Sequence, residues 1–514
     1  MADTEPIRWR VLLPALMTVA VFAAFSPALD IYIAGDDFEW LDASYDIIGD
    51  PLASFEPINH FFRPLVKWTY VGDYLIFGQV GIGYMATNLL IHFLNSLFLY
   101  MLLGRWLRQP VVAAAAAAAF ALSPLHSEAV LWAAGRPDTV LLTFWLGALL
   151  LLDRWCERPT TSRAAAFVGV ALLGIGAKES WIVFPFLVVA YLALVLRLPL
   201  RTAFRRAAAL WVAWVGYIAV FLVMPMVVGG PSATHYADFR ILPALIKTST
   251  TILGFCGLGW VPTEGWVAVA LSTVIVGGAA WWLVRTDNRL GQWALLWLIA
   301  TLALVAPFPL AVLRHNYLPM AGFWMVVASI ADRSLAGVLS VDTGRRRRQL
   351  LLGLATGATI VVLAIEGWAL QLEIADYRFY GDLHRGLCEN YAEIEPEISR
   401  NQPLVLVDRG SMRGVEIVAG AVRGHDKTFF VRRDALWQLI FLPPLVNFVG
   451  HPFDERLELL DSEEGIVVPD AFTVLLFEDT GFSLRPDLRN VVAEAIDAAG
   501  GVPPGVSFYL FIEQ

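Results

Sequence analysis

Asp36 and Asp37 stand side by side just past the first long apolar run of the chain, in Gly35-Asp36-Asp37-Phe38-Glu39-Trp40. Carboxylates close to low dielectric are costly unless they pair, bind a cation or do chemistry. Further polar turns follow: Arg63-Pro64, His126-Ser127-Glu128, Gly135-Arg136-Pro137-Asp138, Lys178-Glu179 and Arg314-His315-Asn316-Tyr317. Carboxylates can act as a base or hold a divalent cation such as Mg or Mn, and Arg and Lys bind phosphate. That is equipment for moving a group off a phosphate carried by a membrane lipid. A carboxylate deprotonates the incoming hydroxyl, and the cations stabilise the leaving phosphate.

Each turn also has a plainer reading. The acid pair could be a solvated loop, and Arg63 an anchor to lipid phosphate. His126 and Glu128 are two apart and would not share a helix face. Lys178 and Glu179 could pair with each other. His92, inside an apolar run, reads as a packed histidine bonded to a neighbouring helix. Asn88 and Asn95, seven apart on one stripe, read as helix glue. It is the co-location of the turns that favours chemistry.

The elements that must position them are membrane helices. The chain has 514 residues, 58% hydrophobic and 16% charged, with a mean hydropathy of +0.62. A soluble chain carries about a quarter charged residues. Apolar runs of spanning length recur, and helices are the spanning option that fits them. Eleven spans are expected: Val11–Leu29, Tyr84–Leu103, Val111–Ser123, Thr139–Leu152, Ala164–Ala177, Trp181–Leu196, Ala207–Val228, Val267–Val284, Trp293–Leu310, Tyr317–Ile330 and Leu350–Trp368. Ile241–Leu258, with Lys247 in a Thr/Ser run, reads as interfacial or re-entrant. Within the first loop, residues 30–83, Lys67–Phe77 reads as an amphipathic helix at the interface. Arg8 and Arg10 precede a first run that reads as an uncleaved helix rather than a signal peptide.

With the N-terminus inside, the inside segments hold 18 Lys+Arg and the short outside segments 7. The bias puts every turn above on the outside, away from the cytosol. Arg345–Arg348 is then a topology anchor. The three cysteines, Cys156, Cys256 and Cys388, form no metal-ligand spacing and no disulfide framework. From residue 370 onward the chain holds 12 Lys+Arg against 24 Asp+Glu, a net −12 within a total of −9. This acidic tail, 370–514, reads as an extracytoplasmic soluble α/β or α+β domain behind a membrane domain 1–369. Its expected strands are Pro403–Val407, Thr428–Val431, Gly465–Val468, Phe472–Phe477 and Val506–Ile512, with a helix at Leu488–Ala499. Nothing points to nucleic acid.

In these residues the chain resembles the GT-C glycosyltransferases, multi-span enzymes that use polyprenyl-phosphate sugars. Within them it is most similar to bacterial relatives of the transmembrane O-mannosyltransferases that carry tetratricopeptide repeats. The matching stretches are Gly35-Asp36-Asp37, Phe62-Arg63-Pro64-Leu65, Asn88–Asn95, Ser123–Val130, Gly135-Arg136-Pro137-Asp138, Lys178-Glu179 and Arg314–Pro319. They agree in order and in spacing relative to the spans, over roughly residues 10–330. The resemblance implies that Asp36 or Asp37 is the catalytic base or a metal-assisting carboxylate, with the choice between them open. It implies that Arg314, Lys178 and Arg136 hold the donor phosphate. Two departures stand out: Leu313 occupies a position where relatives often carry an acid before the Arg, and the tail lacks the repeats.

The expectation is therefore a multi-pass inner-membrane glycosyltransferase, with the N-terminus cytoplasmic. It would move a sugar from a polyprenyl-phosphate donor to an acceptor hydroxyl on protein, lipid or glycan, with inversion. Asp36 and Asp37 would be catalytic, and Arg63, Arg136, Lys178 and Arg314 would bind phosphate. His126, Glu128, Asp138, Glu179, His315, Asn316 and Tyr317 would support them, and the tail would dock acceptor or partner. The rival classes are a flippase of lipid-linked sugars and a non-catalytic envelope scaffold. A flippase calls for inverted repeats and charges at mid-membrane; a scaffold would bind partners with Asp36 and Asp37 dispensable.

Overall fold

The computed structural model describes residues 7–34, 36–58, 61–78, 81–228, 241–258, 265–306, 312–340, 345–394, 404–408, 473–478, 481–484 and 506–509. The expected elements Thr428–Val431, Gly465–Val468 and Leu488–Ala499, and Gly35 itself, lie outside the described residues. By internal contacts the chain divides into two compact units. One comprises Met1–Leu29, Ser54–Trp68 and Ala86–Ile374; the other comprises Asp30–Ala53, Thr69–Met85 and Ala375–Gln514.

The first unit is helical. Its elements are α1 (Ile7–Phe25), the start of α3 (Pro64–Phe77), most of α4 (Gly81–Trp106), α5 (Pro110–Leu122), α6 (Glu128–Leu131), α7 (Arg136–Glu157) and α8 (Thr161–Leu173). There follow α9 (Phe184–Ala190), α10 (Leu200–Arg206), α11 (Ala208–Val228), α12 (Ile241–Phe255), α13 (Gly265–Arg285), α14 (Arg289–Val305), α15 (Tyr317–Ser340) and α16 (Arg345–Ile394). Five helical stretches among the described residues are long and apolar enough to cross a membrane: 13–30, 81–106, 133–157, 265–285 and 349–386. Shorter apolar helices accompany them, including α12, where the sequence suggests an interfacial or re-entrant piece.

Helix starts follow local chemistry. Pro110 opens α5 and Pro137 opens α7, where the missing N–H and fixed φ cost nothing. Thr160 caps α8 by accepting the Arg163 N–H, and Asn288 caps α14 by accepting that of Gly291. Asp332 Oδ1 accepts the N–H groups of Arg108 and Gln109 at the head of α5. The core between helices is aromatic: Trp145, Trp181, Trp293 and Trp297 are fully buried. Three of these indoles donate to backbone carbonyls, those of Ala171, Leu187 and Leu318. Arg105 and Trp106 at the C-terminal end of α4 both bond Asp153 near the end of α7, fixing those helices against each other.

The second unit holds α2 (Asp37–Gly49), the later part of α3, the first turn of α4, the end of α16 and a four-stranded sheet. The sheet order is β3-β2-β1-β4, with β1 Leu404–Asp408, β2 Thr473–Glu478, β3 Gly481–Leu484 and β4 Val506–Tyr509. β1 and β2 are parallel, with Leu404 opposite Thr473; β4 and β3 run antiparallel on either side. Trp40 of α2 stacks on Tyr70 of α3, which in turn meets Tyr84 of α4. The sequence reads a span ending at Trp368 and a soluble domain from residue 370. Instead α16 is one helix of 50 residues through to Ile394. Leu370 and Ile374 are buried, so the apolar stripe outlasts the purely apolar run.

Candidate functional site

In the first unit the charged turns converge as a set of ion pairs, and the partners are not sequence neighbours. Arg63 grips Glu179 through Nε (3.3 Å) and Nη2 (2.9 and 3.0 Å). Lys178 donates to Asp138 Oδ2 at 2.6 Å. The local Lys178–Glu179 pair, one reading of the sequence, gives way to two long-range pairs, Lys178 with Asp138 and Glu179 with Arg63. Arg314 Nη1 donates to Glu128 Oε1 at 2.6 Å, and its own backbone N–H donates to Glu128 Oε2 at 3.2 Å. The acid that Leu313 fails to supply thus comes from the His126-Ser127-Glu128 turn. Arg314 also lies over Trp132, and Arg63 over Phe61.

Arg136 is fully buried, and its Nε donates to Asn88 Oδ1 at 2.6 Å. Asn88 in turn donates to the Trp132 carbonyl at 2.9 Å. The turn before Arg136 folds tightly: a side chain at Gly135 would meet the Glu128 carbonyl at 2.4 Å. Asn316 pins the last turn to the middle one by donating to the Leu125 carbonyl at 2.8 Å. Tyr317 and Asn95 continue the network. Asn95 donates to Tyr317 Oη (3.0 Å) and to the Thr139 carbonyl (2.8 Å). His92 Nε2 donates to the Ala121 carbonyl at 3.0 Å, so its Nδ1 accepts the Tyr317 hydroxyl at 2.8 Å. The packed-histidine and helix-glue readings of His92, Asn88 and Asn95 hold.

Charges in this set act on one another. Lys178, Arg63 and Arg314 all bear on the Asp138 carboxylate. Burial holds the His315 imidazole well below its ordinary range, followed by Lys178, Arg314, Lys247 and Arg63. Burial, with help from His92, pushes His126 down to about 3. Both rings are therefore neutral at physiological pH. Glu179 stays charged: burial opposes its ionisation, yet Arg63 and Lys178 carry it below its ordinary value.

Sequence reasoning missed three contributors. Lys247 of α12 adds a cation beside His315, its Nζ donating to the Val305 carbonyl at 3.2 Å. Its signal was a lone Lys in an otherwise apolar helix. Glu373 of α16 accepts the Ser127 hydroxyl at 2.6 Å, and Asn88 seats Arg136. Arg63, Lys178 and Arg314 each face one carboxylate, Glu179, Asp138 and Glu128 in turn, and Arg136 donates to Asn88. A site so built has buried, preorganised positive charge with a small net excess, which suits a phosphate.

The acid pair belongs to the second unit. Asp37 is buried, and its Oδ2 accepts the Ala34 N–H at 2.9 Å. The Asp37 N–H returns to the Ala34 carbonyl at 3.3 Å, so Asp37 closes its own turn. Asp36 is half-exposed at the head of α2. Asp36 and Asp37 are the carboxylates that the sequence offers to a divalent cation, and Oδ2 of Asp37 accepts a backbone N–H. Among the described residues no three of His, Cys, Asp and Glu gather as metal ligands.

Residues 58–228 match the family described as Dolichyl-phosphate-mannose-protein mannosyltransferase. No curated protein matches the chain. Among solved structures, ArnT from Cupriavidus metallidurans in the apo state aligns at 15% identity over 98% of each chain, with a TM-score of 0.48. The same protein bound to undecaprenyl phosphate aligns at 15% identity over 99% of each chain, with a TM-score of 0.47. The matched segment carries Arg63, Arg136 and Lys178.

Proposed function

We propose that this protein is a membrane glycosyltransferase that moves a sugar from a polyprenyl-phosphate donor to an acceptor hydroxyl. The reaction takes place at the extracytoplasmic face of the inner membrane, by direct displacement with inversion at the anomeric carbon. The observation that carries this reading is the interlocked cationic set of Arg63, Lys178 and Arg314, each held by a buried or half-buried carboxylate. The family match over residues 58–228 supports it.

In this reading Asp36 takes the proton of the acceptor hydroxyl, whose oxygen forms the new bond to the anomeric carbon. The bond from that carbon to the donor phosphate oxygen breaks, and polyprenyl phosphate leaves. Arg63, Lys178 and Arg314 bind that phosphate, and Arg136, fully buried, adds positive charge from behind. Preorganised cations cost no reorganisation as charge develops on the leaving group. Asp37 keeps Asp36 at the head of its turn. Glu128, Asp138 and Glu179 orient the cations, while His126, His315, Asn316 and Tyr317 fix the turns. The region from residue 370 docks the acceptor.

The test is transfer or hydrolysis by the purified full-length protein on a panel of undecaprenyl-phosphate sugars. The control is the Asp36→Asn/Asp37→Asn double variant. Turnover of one donor, lost in the variant, is the expected result; turnover that survives in the variant overturns the assignment of the base.

A further inference from the structure

The acid turn is anchored by a helix that begins about 310 residues later in the sequence. Gly381 of α16 packs directly on the backbone of Tyr32: a Cβ built there would meet Tyr32 N at 2.6 Å, its carbonyl oxygen at 3.0 Å and its Cα at 3.2 Å. These are backbone atoms, which cannot swing aside as a flexible side chain can. On either side of Gly381 an arginine reaches the same segment. Arg378 Nη2 donates to Asp30 Oδ2 at 2.7 Å. Arg385 Nη2 donates to the Asp30 carbonyl at 2.9 Å, its guanidinium also lying 5.4 Å from the Tyr32 ring. The other side of Tyr32 is met by Gly81 at the start of α4, whose built Cβ would lie 3.4 Å from the Tyr32 ring and 3.7 Å from Ile33 N.

The clamped segment leads straight into the acids. Ile31, Ile33 and Ala34 are buried, and the Ala34 N–H and carbonyl are both spent on Asp37. The next helical turn is pinned too, the Trp40 N–H reaching the Asp36 carbonyl at 3.3 Å. Every link from Gly381 to Asp36 is therefore backbone contact, backbone hydrogen bond or a buried side chain. Helix interiors disfavour glycine through its conformational freedom, so Gly381 is retained at a cost to its own helix. All these residues lie in the second compact unit.

We infer that Gly381, with Arg378 and Arg385, is a positioning element for the acid turn: α16 sets where Asp36 stands without touching any reactant. This rests on the glycosyltransferase reading for its catalytic consequence, and on packing alone for its structural one. The two are tested separately.

The first measurement is steady-state kinetics of the full-length protein with the undecaprenyl-phosphate sugar that the wild type turns over. Gly381→Ala lowers kcat at least tenfold and leaves the donor KM within twofold, since the donor phosphate is held by Arg63, Lys178 and Arg314. Gly386→Ala, on the same helix with nothing within 4 Å of its built Cβ, stays at wild-type values. The Arg378→Ala/Arg385→Ala variant, which leaves the backbone alone, reproduces the kcat loss.

The second measurement needs no turnover. With Cys156, Cys256 and Cys388 replaced by Ser, a cysteine at position 36 is labelled with a membrane-impermeant maleimide. Gly381→Ala or the double arginine variant changes the labelling rate at least fivefold, and Gly386→Ala does not. Unchanged labelling in both variants overturns the inference. If Asp36→Asn keeps full turnover, the catalytic reading of the acid falls, and the labelling rates alone decide the brace.

Discussion

Glu128 holds Arg314 at two points, accepting from the guanidinium with one carboxylate oxygen and from the backbone N–H with the other. The pair is largely buried, so removing the acid leaves a desolvated guanidinium without its counter-charge. Losing one partner of a buried pair costs about 3 kcal/mol or more. Glu128→Ala should lower thermal stability of the purified protein markedly and raise the donor KM at least tenfold. Glu128→Gln, which keeps an oxygen for the backbone N–H, should retain more of the stability than of the affinity. Equal losses in the two variants would show that the charge is irrelevant.

Asp36 and Asp37 should separate by phenotype. A positioned general base contributes roughly 10² to 10⁴ in rate, so Asp36→Asn should remove turnover while leaving the melting temperature unchanged. Asp37→Ala strips a buried backbone N–H of its acceptor. It should lower stability by about 1–3 kcal/mol, with catalysis lost as a consequence. A stable but inactive Asp37→Ala protein beside an active Asp36→Asn would reverse the roles.

Arg63 engages Glu179 through two nitrogens of one planar group. Lysine cannot reproduce that fork. Arg63→Lys should therefore raise the donor KM about tenfold, an affinity change of roughly 1.4 kcal/mol, with little loss of expression. Wild-type KM in this variant would limit Arg63 to a loop anchor.

Acid should weaken the fold through its buried histidines. In the unfolded chain a histidine takes up a proton near 6.5, whereas burial delays this in His126 to about 3. Between those values the unfolded state binds more protons, so stability rises with pH across the window and falls as pH drops below about 6.5. His315 acts in the same direction. Glu179, held below its ordinary 4.5, adds a second loss only at lower pH. Melting curves from pH 7 to 4 should show this decline. His126→Gln should make it shallower by about one proton, roughly 1.4 kcal/mol per pH unit. An unchanged slope would mean that the ring is already protonated in the fold.

The turns of the candidate site were legible because their composition is foreign to a membrane: charges bracketed by long apolar runs announce themselves. Their pairing was not. Arg63 and Glu179 are 116 positions apart, Arg314 and Glu128 186, and no periodicity connects such residues. Proximity in sequence even misled, as Lys178 and Glu179 have separate partners. Lys247 was visible only as a blemish in an apolar helix. The run of α16 beyond Trp368 was hidden by its change of surface. Its first buried apolar residues, Leu370 and Ile374, come where the rest of the helix turns polar, which hydropathy averages read as an end.

The line of bonds through Asn95, Tyr317, His92 and Ala121 has a fixed direction. Asn95 donates to Tyr317 Oη, the Tyr317 hydroxyl to His92 Nδ1, and His92 Nε2 to a backbone carbonyl, which does not pass a proton on. Such a line ties three helical segments together without becoming a wire. Reversing the imidazole tautomer would break the bonds at both of its ends, so the packing that joins the three segments also fixes which ring nitrogen carries the proton.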